Sequence, residues 1–344
     1  MVSVVSGLGN PSLAVQAARS SLALSVAYCA PDEVELDVMD SPTMQRWGED
    51  APYYVAGSIL NHAVVAAFIV IQLIVAALFS WVRSRSLLDG FTAARCPSLT
   101  VFPLMALMQP TVMCAVMSCL YATPGLKVVA VLSLAISSAM PVAVFVYLWS
   151  NKAKIRYISD YHPPSVAVED SAPPPQPPGN AVARVALQFM LGTGKWLDTS
   201  PGSGYCQSNR LLFTDYRAQC YWFIVVEMAM CVLCGLLDGI KLGLGRCNFV
   251  LVAASVLFGG YLFLVLYLRP HNAWFALLFT CCMTILQLLS IVLMTVNQFV
   301  GVDSAASWAE TAAQISLYLI LVRTAIDILP HSYKLFKMIR RIRR

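Results

Sequence analysis

The sequence has little charge for its length. Of its 344 residues, 12% are Asp, Glu, Lys or Arg, whereas 58% are hydrophobic and the mean hydropathy is +0.70. Soluble globular domains average about 25% charged and about 45–50% apolar residues. So few charged side chains would not cover the surface of a soluble protein of this size. The composition therefore excludes a soluble globular domain and predicts an integral membrane protein.

Metal-binding and catalytic patterns are also scarce. The four histidines have no Cys or acid at metal-ligand spacing, and the eleven cysteines are scattered, six of them in apolar runs where Cys acts as a small hydrophobe. The GTGK tract (192–195) is followed by Trp196, whereas a Walker phosphate loop needs Ser or Thr after its Lys. We therefore expect no catalytic residue, no enzyme activity, no metal, no cofactor and no nucleic-acid partner.

The first 55 residues lack a basic segment followed by a compact apolar core, so we expect no cleaved signal peptide. Acidic residues dominate this segment. Leu22, Leu24 and Val26 alternate with small residues, which favours a short strand. We expect residues 1–55 to be an acidic extracellular tail, or alternatively the stub of a larger ectodomain.

Seven apolar runs are long enough to cross a hydrocarbon core, which takes about 20 helical residues. These runs are 56–82, 99–121, 126–149, 218–240, 249–268, 274–299 and 308–329. They predict an all-α polytopic transmembrane bundle of about seven spans. Membrane helices 1–3 then occupy 56–149, and membrane helices 4–7 occupy 218–329.

The distribution of basic residues predicts the orientation of these spans. The tail before the first span is acidic, and Arg83 and Arg85 follow it. With the N-terminus outside and the C-terminus inside, most of the 23 Lys and Arg residues fall in inner segments, as the positive-inside rule requires. The inner segments are 83–98, 150–217, 269–273 and 330–344. Trp and Tyr residues also gather at the predicted span ends, as interfacial aromatics do.

The inner loop 150–217 contains a proline-rich tract at 161–179. Such a tract is typical of an extended, semi-rigid spacer, and alternatively docks an SH3- or WW-like partner. Its neighbour 182–190 carries Val182, Val185 and Phe189 on one helical face, which predicts a short cytoplasmic helix lying on the inner leaflet.

Three charged residues fall well inside predicted spans: Glu227, Arg323 and Asp327. Glu227 and Arg323 lie about 13 Å and about 10 Å from the predicted inner face at 1.5 Å per residue. Asp327 is one turn from Arg323. Because ions in hydrocarbon need partners, we expect an intramembrane charge cluster between the fourth and seventh spans. It either fixes helix pairing or forms an ion or proton pathway in which Glu227 titrates.

Small residues spaced by four mark a close helix contact. Gly235, Gly239 and Gly243 follow this pattern in the fourth span, and Ser255 and Gly259 follow it in the fifth. Both sets flank a short connection. We therefore expect spans four and five to pack as a tight hairpin.

The C-terminal segment 330–344 is strongly basic and amphipathic. A polybasic stretch beside a membrane span binds anionic inner-leaflet lipid, at about 1 kcal/mol per charge. The expected lipid-binding residues are Lys334, Lys337, Arg340, Arg341, Arg343 and Arg344.

Two stretches carry a family resemblance: RLLFTDYRAQCYWFIVVE (210–227) and LRPHNAWF (268–275). A Tyr-Arg then Trp-Phe start to one span and an Arg-Pro pair closing the next resemble the multi-pass C-terminal membrane module of kinetoplastid surface proteins of the dispersed gene family type. The chain is also loosely similar to transient-receptor-potential-like membrane domains of fungi. The resemblance covers about residues 56–344. It implies a long extracellular region, where this chain has 55 residues, and hence a short or truncated member.

Two function classes remain open from the sequence. One is an anchor or interaction module of the cell surface, in the plasma membrane, without catalytic activity. The other is an ion channel or transporter that uses the Glu227, Arg323 and Asp327 cluster. A rhodopsin-type receptor is disfavoured because its Asp/Glu-Arg-Tyr and Asn-Pro-x-x-Tyr motifs are absent. We prefer the anchor.

Overall fold

Helices make up almost all of the described chain. The structure is a computed structural model that describes residues 11–27, 53–82, 86–159, 189, 192, 194–200 and 203–342, with the backbone alone at some helix ends, including 326–342. The helices are α1 Pro11–Ala27, α2 Tyr53–Val82, α3 Leu87–Ala93, α4 Val101–Tyr121, α5 Pro124–Asn151, α6 Tyr205–Ser208, α7 Arg210–Phe213, α8 Phe223–Leu244, α9 Cys247–Leu268, α10 Trp274–Val300 and α11 Asp303–Ile342. Two strands, β1 Ile155–Ile158 and β2 Lys195–Asp198, form a small sheet, and short 3-10 turns join some of these elements.

Seven of these helices are long and apolar enough to cross a membrane: α2, α4, α5, α8, α9, α10 and α11. The prediction of an all-α polytopic bundle is thereby confirmed. The last helix departs from its predicted end, because it continues through Pro330 to Ile342 instead of stopping near residue 329. The residues after Pro330 include Lys, Leu, Met and Arg, which are strong helix formers, and they propagate the helix beyond the apolar run.

Helix α1 is the largest correction to the sequence-based prediction. Residues 11–27 are neither a solvated tail nor a strand, because they form a helix packed among α4, α8, α10 and α11. From Val15 to Val26, Ser21 alone is exposed. Half of these side chains are Ala or Ser, so the helix is thin enough to fit between its neighbours. The strand prediction followed the Leu22–Val26 alternation and missed the small-residue helix face.

The direction of α1 sets the two ends of the bundle. Its first half lies beside the start of α10, where Gln16 donates to Thr280, and its last turn lies beside the end of α8, where Lys241 donates to Ser25. Seventeen residues give α1 a length of about 25 Å at 1.5 Å per residue. Helix α1 therefore runs nearly the length of the bundle, and residues 11 and 27 lie at opposite ends. The prediction that all of residues 1–55 lie on one side is wrong for this reason.

A β-hairpin marks one of these ends. Strands β1 and β2 pair antiparallel, with Ile155 opposite Asp198 and Ile158 opposite Lys195. We call this the hairpin end; it also contains the starts of α8 and α10. The end that contains Lys241 and Tyr121 is called the opposite end. The proline-rich tract at 161–179 lies outside the described residues.

The glycine face of α8 packs against α4, so the expected pairing with the fifth span is wrong. A Cβ on Gly235 would lie 2.5 Å from the Gln109 carbonyl oxygen, and one on Gly239 would lie 2.6 Å from the Val116 Cβ. Gly243 is equally close to Leu120. In the fifth span, a Cβ on Gly259 would meet no atom of another described element within 4 Å, and the Ser255 hydroxyl donates to the Leu251 carbonyl of its own helix. Adjacency in sequence suggested the wrong partner, since α4 runs parallel to α8 and offers a longer contact.

Candidate functional site

Glu227 lies buried in the second turn of α8, with 1% of its surface exposed. The Tyr216 hydroxyl donates to its Oε2 at 2.7 Å. Tyr261 of α9 is within hydrogen-bonding reach of the same carboxyl group, and Arg19 of α1 is the cation that acts on it. The carboxylate thus lies where α8, α9 and the central helix α1 meet.

Arg19 is fully buried at the centre of the bundle. Its Nη1 donates to the Thr284 hydroxyl at 2.9 Å, and its guanidinium lies 4.2 Å from the centroid of the Tyr261 ring. Among the described residues, Nε and Nη2 have no hydrogen-bond partner. The ring of Tyr261 therefore joins a buried cation to a buried carboxylate, while two guanidinium nitrogens stay available.

In the structure, Arg19 is the cation that acts on Glu227, whereas the sequence predicted Arg323 for this role. Arg323 lies over two aromatic rings of α10, at 4.4 Å from the Phe275 centroid and 5.7 Å from that of Phe279. The side chain of Asp327 lies outside the described residues, so its pairing with Arg323 stays a prediction. Arg19 was missed because it belongs to a segment that the sequence marked as a tail.

Two sequence stretches singled out by the resemblance meet directly beneath Glu227. The Arg217 amide donates to the Pro270 carbonyl at 2.8 Å, and the Asn272 amide donates to the Asp215 carbonyl at 2.8 Å. This short antiparallel pairing sets the Tyr216 ring 5.8 Å from the His271 ring. The loop between α9 and α10 therefore closes the hairpin end over the buried carboxylate.

The β-hairpin reinforces this closure. Trp196 of β2 donates from Nε1 to the Tyr216 carbonyl at 3.0 Å, and the Tyr157 hydroxyl of β1 donates to Asn272 Oδ1 at 2.8 Å. A Cβ on Gly194 would overlap the Tyr157 ring. The glycines of the GTGK tract thus serve close packing, which gives that tract a structural explanation.

His271 is the second buried titratable group at this end. It is 1% exposed, and neither ring nitrogen has a hydrogen-bond partner among the described residues. Burial, followed by the charges of Arg19, Arg323 and Arg217, lowers the pKa of His271 to about 4. The imidazole is therefore uncharged near neutral pH. Burial and the neighbouring Glu227 carboxylate raise the pKa of Tyr216 well above its usual value, so Tyr216 remains a proton donor.

Two further buried charged residues, Asp238 and Lys241, lie toward the opposite end. The Gln109 side chain donates to Asp238 Oδ2 at 2.6 Å, and Lys241 Nζ donates to the hydroxyl and carbonyl oxygens of Ser25. Asp238 Oδ1 has no partner within the described part of the chain. Lys241 satisfies the carbonyl end of α1, where a cation also interacts favourably with the helix dipole.

Glu227, Asp238 and Lys241 share the α8 face that contacts α1. Between these charged groups, α1 is bonded to α10 through polar side chains: Gln287 donates to the Ser20 hydroxyl at 2.7 Å and to the Gln16 carbonyl at 3.2 Å. Ser20 also bonds Ser316 of α11 at 3.0 Å. We call this line the polar seam, defined by His271, Tyr216, Glu227, Arg19, Ser20, Gln287, Asp238 and Lys241.

The remaining predicted site residues lie elsewhere. Residues 334–341 continue α11, and their side chains, like all of Arg343 and Arg344, lie outside what the structure describes. The predicted binding of anionic lipid by this tail therefore stays a prediction. In the described segments, no group of three or more His, Cys, Asp or Glu residues has the arrangement of a metal site.

Comparisons with known proteins found no relative of this chain. No protein-family model, no curated protein and no solved structure matches the chain. The resemblance to the kinetoplastid surface-protein module therefore stays a prediction, and the functional conclusion depends on the site alone.

Proposed function

We propose that this membrane protein moves protons, alone or coupled to a small solute, across the bilayer along the polar seam. The observation that carries the proposal is incomplete hydrogen bonding of buried ionisable groups along the polar seam. It concerns Arg19, His271 and Asp238, each of which has at least one buried polar atom without a partner among the described residues.

A cluster that only holds helices together would leave fewer such atoms. An unsatisfied buried polar group costs about 1–3 kcal/mol, and a purely structural network lowers its free energy by saturating its donors and acceptors. Polar sites of this kind commonly hold internal water. Water between side chains that donate and accept protons supplies the continuous path that proton movement needs.

The chemistry of the seam is suited to passing a proton at its hairpin end. Uncharged His271 has a nitrogen that accepts a proton and another that donates one. The Tyr216 hydroxyl beside it donates to Glu227, the carboxylate that receives the proton. Intramembrane carboxylates of this kind are typical of proton relays.

The test is proton flux in liposomes that contain the purified protein and an internal pH-sensitive dye. A potassium gradient with valinomycin drives the flux, and we expect Glu227→Gln to lower the rate at least tenfold. Asp89→Asn is the matched control, because Asp89 is exposed at the start of α3 and an Asn there preserves the cap with Ser86. Equal rates in the wild type and Glu227→Gln, both above protein-free liposomes, would contradict the proposal.

Absence of flux in correctly folded wild-type protein would return attention to the anchor or interaction module of the cell surface. That hypothesis is based on the proline-rich tract, an SH3- or WW-like partner and the basic tail, together with a plasma-membrane location. These features stay predictions. A pull-down with the 161–179 segment tests the partner directly.

A further inference from the structure

A cavity of about 270 Å³ lies between α2, α4 and α5, away from the polar seam. Its walls are mostly aliphatic side chains, among them Leu107, Ile136 and Met140. Ile69 and Ile136 line it and are 38% and 47% exposed, so the cavity reaches the outer surface of the bundle. An engineered cavity of about 150 Å³ accommodates benzene, so this one accommodates an apolar group nearly twice that size.

The cavity contains an amide without a partner. Asn61 lines it, is fully buried, and has no hydrogen-bond partner for either Nδ2 or Oδ1 among the described residues. Leaving these atoms unsatisfied in an apolar site costs about 1–3 kcal/mol. The same helix turn shows how other polar groups are satisfied, because the neighbouring His62 bonds the Ser58 carbonyl through Nδ1 at 2.9 Å.

We propose that this cavity binds an uncharged, membrane-dissolved alcohol whose hydroxyl group bonds to Asn61. A hydroxyl accepts from Nδ2 and donates to Oδ1, so one ligand group satisfies both amide atoms. Among the described residues that line the cavity there is no Asp, Glu, Lys or Arg, which disfavours an ionised head group. Access from the surface near Ile69 and Ile136 lets the ligand enter from the bilayer instead of from water.

The hydroxyl group of the proposed alcohol distinguishes it from the acyl chains of the surrounding lipid. A saturated chain would fill the aliphatic walls and leave the Asn61 amide unsatisfied. An alcohol with a compact apolar body fills the same volume and also bonds the amide. Affinity for the alcohol over the matching hydrocarbon is therefore the property that separates a binding site from a lipid-filled groove.

The experiment uses an octanol that carries a diazirine, photoactivated with the full-length protein in nanodiscs. We expect labelling of peptides that contain residues 61–69, 104–111 or 136–140, and at least fivefold competition by unlabelled octanol. Asn61→Leu, which conserves the side-chain volume and removes the amide, should lower this labelling at least threefold. Ala66→Trp, which narrows the cavity, should lower it as well.

The matched control is a diazirine-bearing octane without the hydroxyl group, which should label wild type and Asn61→Leu equally. Equal labelling of the two proteins by the octanol probe would overturn the proposal, as would labelling that excess octanol does not displace. Proton flux is measured on the same Asn61→Leu protein. Unchanged flux there shows that the variant is folded and that the cavity is separate from the seam.

Discussion

At the residue scale, the positive charge of Arg19 helps to stabilise the buried carboxylate of Glu227. A carboxylate in hydrocarbon is costly unless an opposite charge and hydrogen bonds accompany it. Tyr216 supplies the hydrogen bond at 2.7 Å, and Arg19, stacked on Tyr261, supplies the charge. The charge of Arg19 on α1 therefore acts on the carboxylate of α8, while the Arg19 guanidinium itself bonds Thr284 of α10.

Removing Arg19 should destabilise the protein strongly, because Glu227 would lose its cation. We expect Arg19→Met to cost about 3–5 kcal/mol, the usual penalty for breaking one partner of a buried pair. Adding Glu227→Gln should recover at least about 1 kcal/mol of that loss, since neighbouring residues couple by about 0.5–3 kcal/mol. Reversible unfolding in mixed detergent–SDS micelles measures all four proteins of the cycle.

The matched control is a second double-mutant cycle, in which Arg323→Met takes the place of Arg19→Met and is combined with Glu227→Gln. Arg323 lies on Phe275 and Phe279, so its coupling to Glu227 should be smaller than that of Arg19. A larger coupling to Arg323 would show that the partner predicted from the sequence is the correct one.

At the scale of elements, the sequence predicted the membrane helices well and the central helix poorly. The seven spans are visible because each is a long, nearly uncharged apolar run. Helix α1 is short, rich in Ala and Ser, carries Arg19 in its middle and is followed by an acidic segment. Its stability comes from packing and from bonds such as Gln287 to Ser20, which join residues far apart in sequence. No local pattern contains that information.

The glycine pattern shows the same limit at a helix contact. The four-residue spacing of Gly235, Gly239 and Gly243 predicted close approach, and close approach is what the structure has. The partner is α4, because the three-dimensional arrangement of the spans, and not their order in the chain, decides which helix lies beside the glycine face. Asp238, on the next turn of α8, was overlooked because it falls near the predicted end of its span.

Substitution of one glycine in each helix separates close packing from helix propensity. Gly235→Ala should destabilise the protein by about 1–3 kcal/mol, the usual cost of overpacking, because its Cβ would lie 2.5 Å from the Gln109 carbonyl oxygen. Gly259→Ala should be neutral or stabilising by up to about 1 kcal/mol, since the added Cβ meets no described neighbouring element within 4 Å and Ala favours the helix. Unfolding in detergent–SDS micelles measures both, and equal effects would contradict the α4–α8 contact.

At the scale of the whole molecule, the path of α1 changes the predicted membrane topology, because α1 begins and ends at opposite ends of the bundle. The start of α1 lies at the hairpin end, with the end of α5, the starts of α8 and α10 and the long connection that contains β1 and β2. The hairpin end is rich in basic residues, among them Lys152, Lys154 and Arg217, which favours the inner side of a membrane. At the opposite end, Cys247 is disulfide-bonded, and disulfides persist in oxidising compartments. Both features favour the hairpin end on the inner side, and this orientation stays a prediction.

Three epitope insertions test this threading in intact and permeabilised cells. An epitope placed before Pro11 and one placed within 161–179 should both require permeabilisation for antibody binding, because α1 begins at the hairpin end. An epitope within 28–52, between the end of α1 and the start of α2, should bind antibody on intact cells. If the epitope before Pro11 is also accessible on intact cells, α1 does not cross the bundle. Arg19 would then lie away from Glu227, and the Arg19 cycle would show no coupling in the same protein.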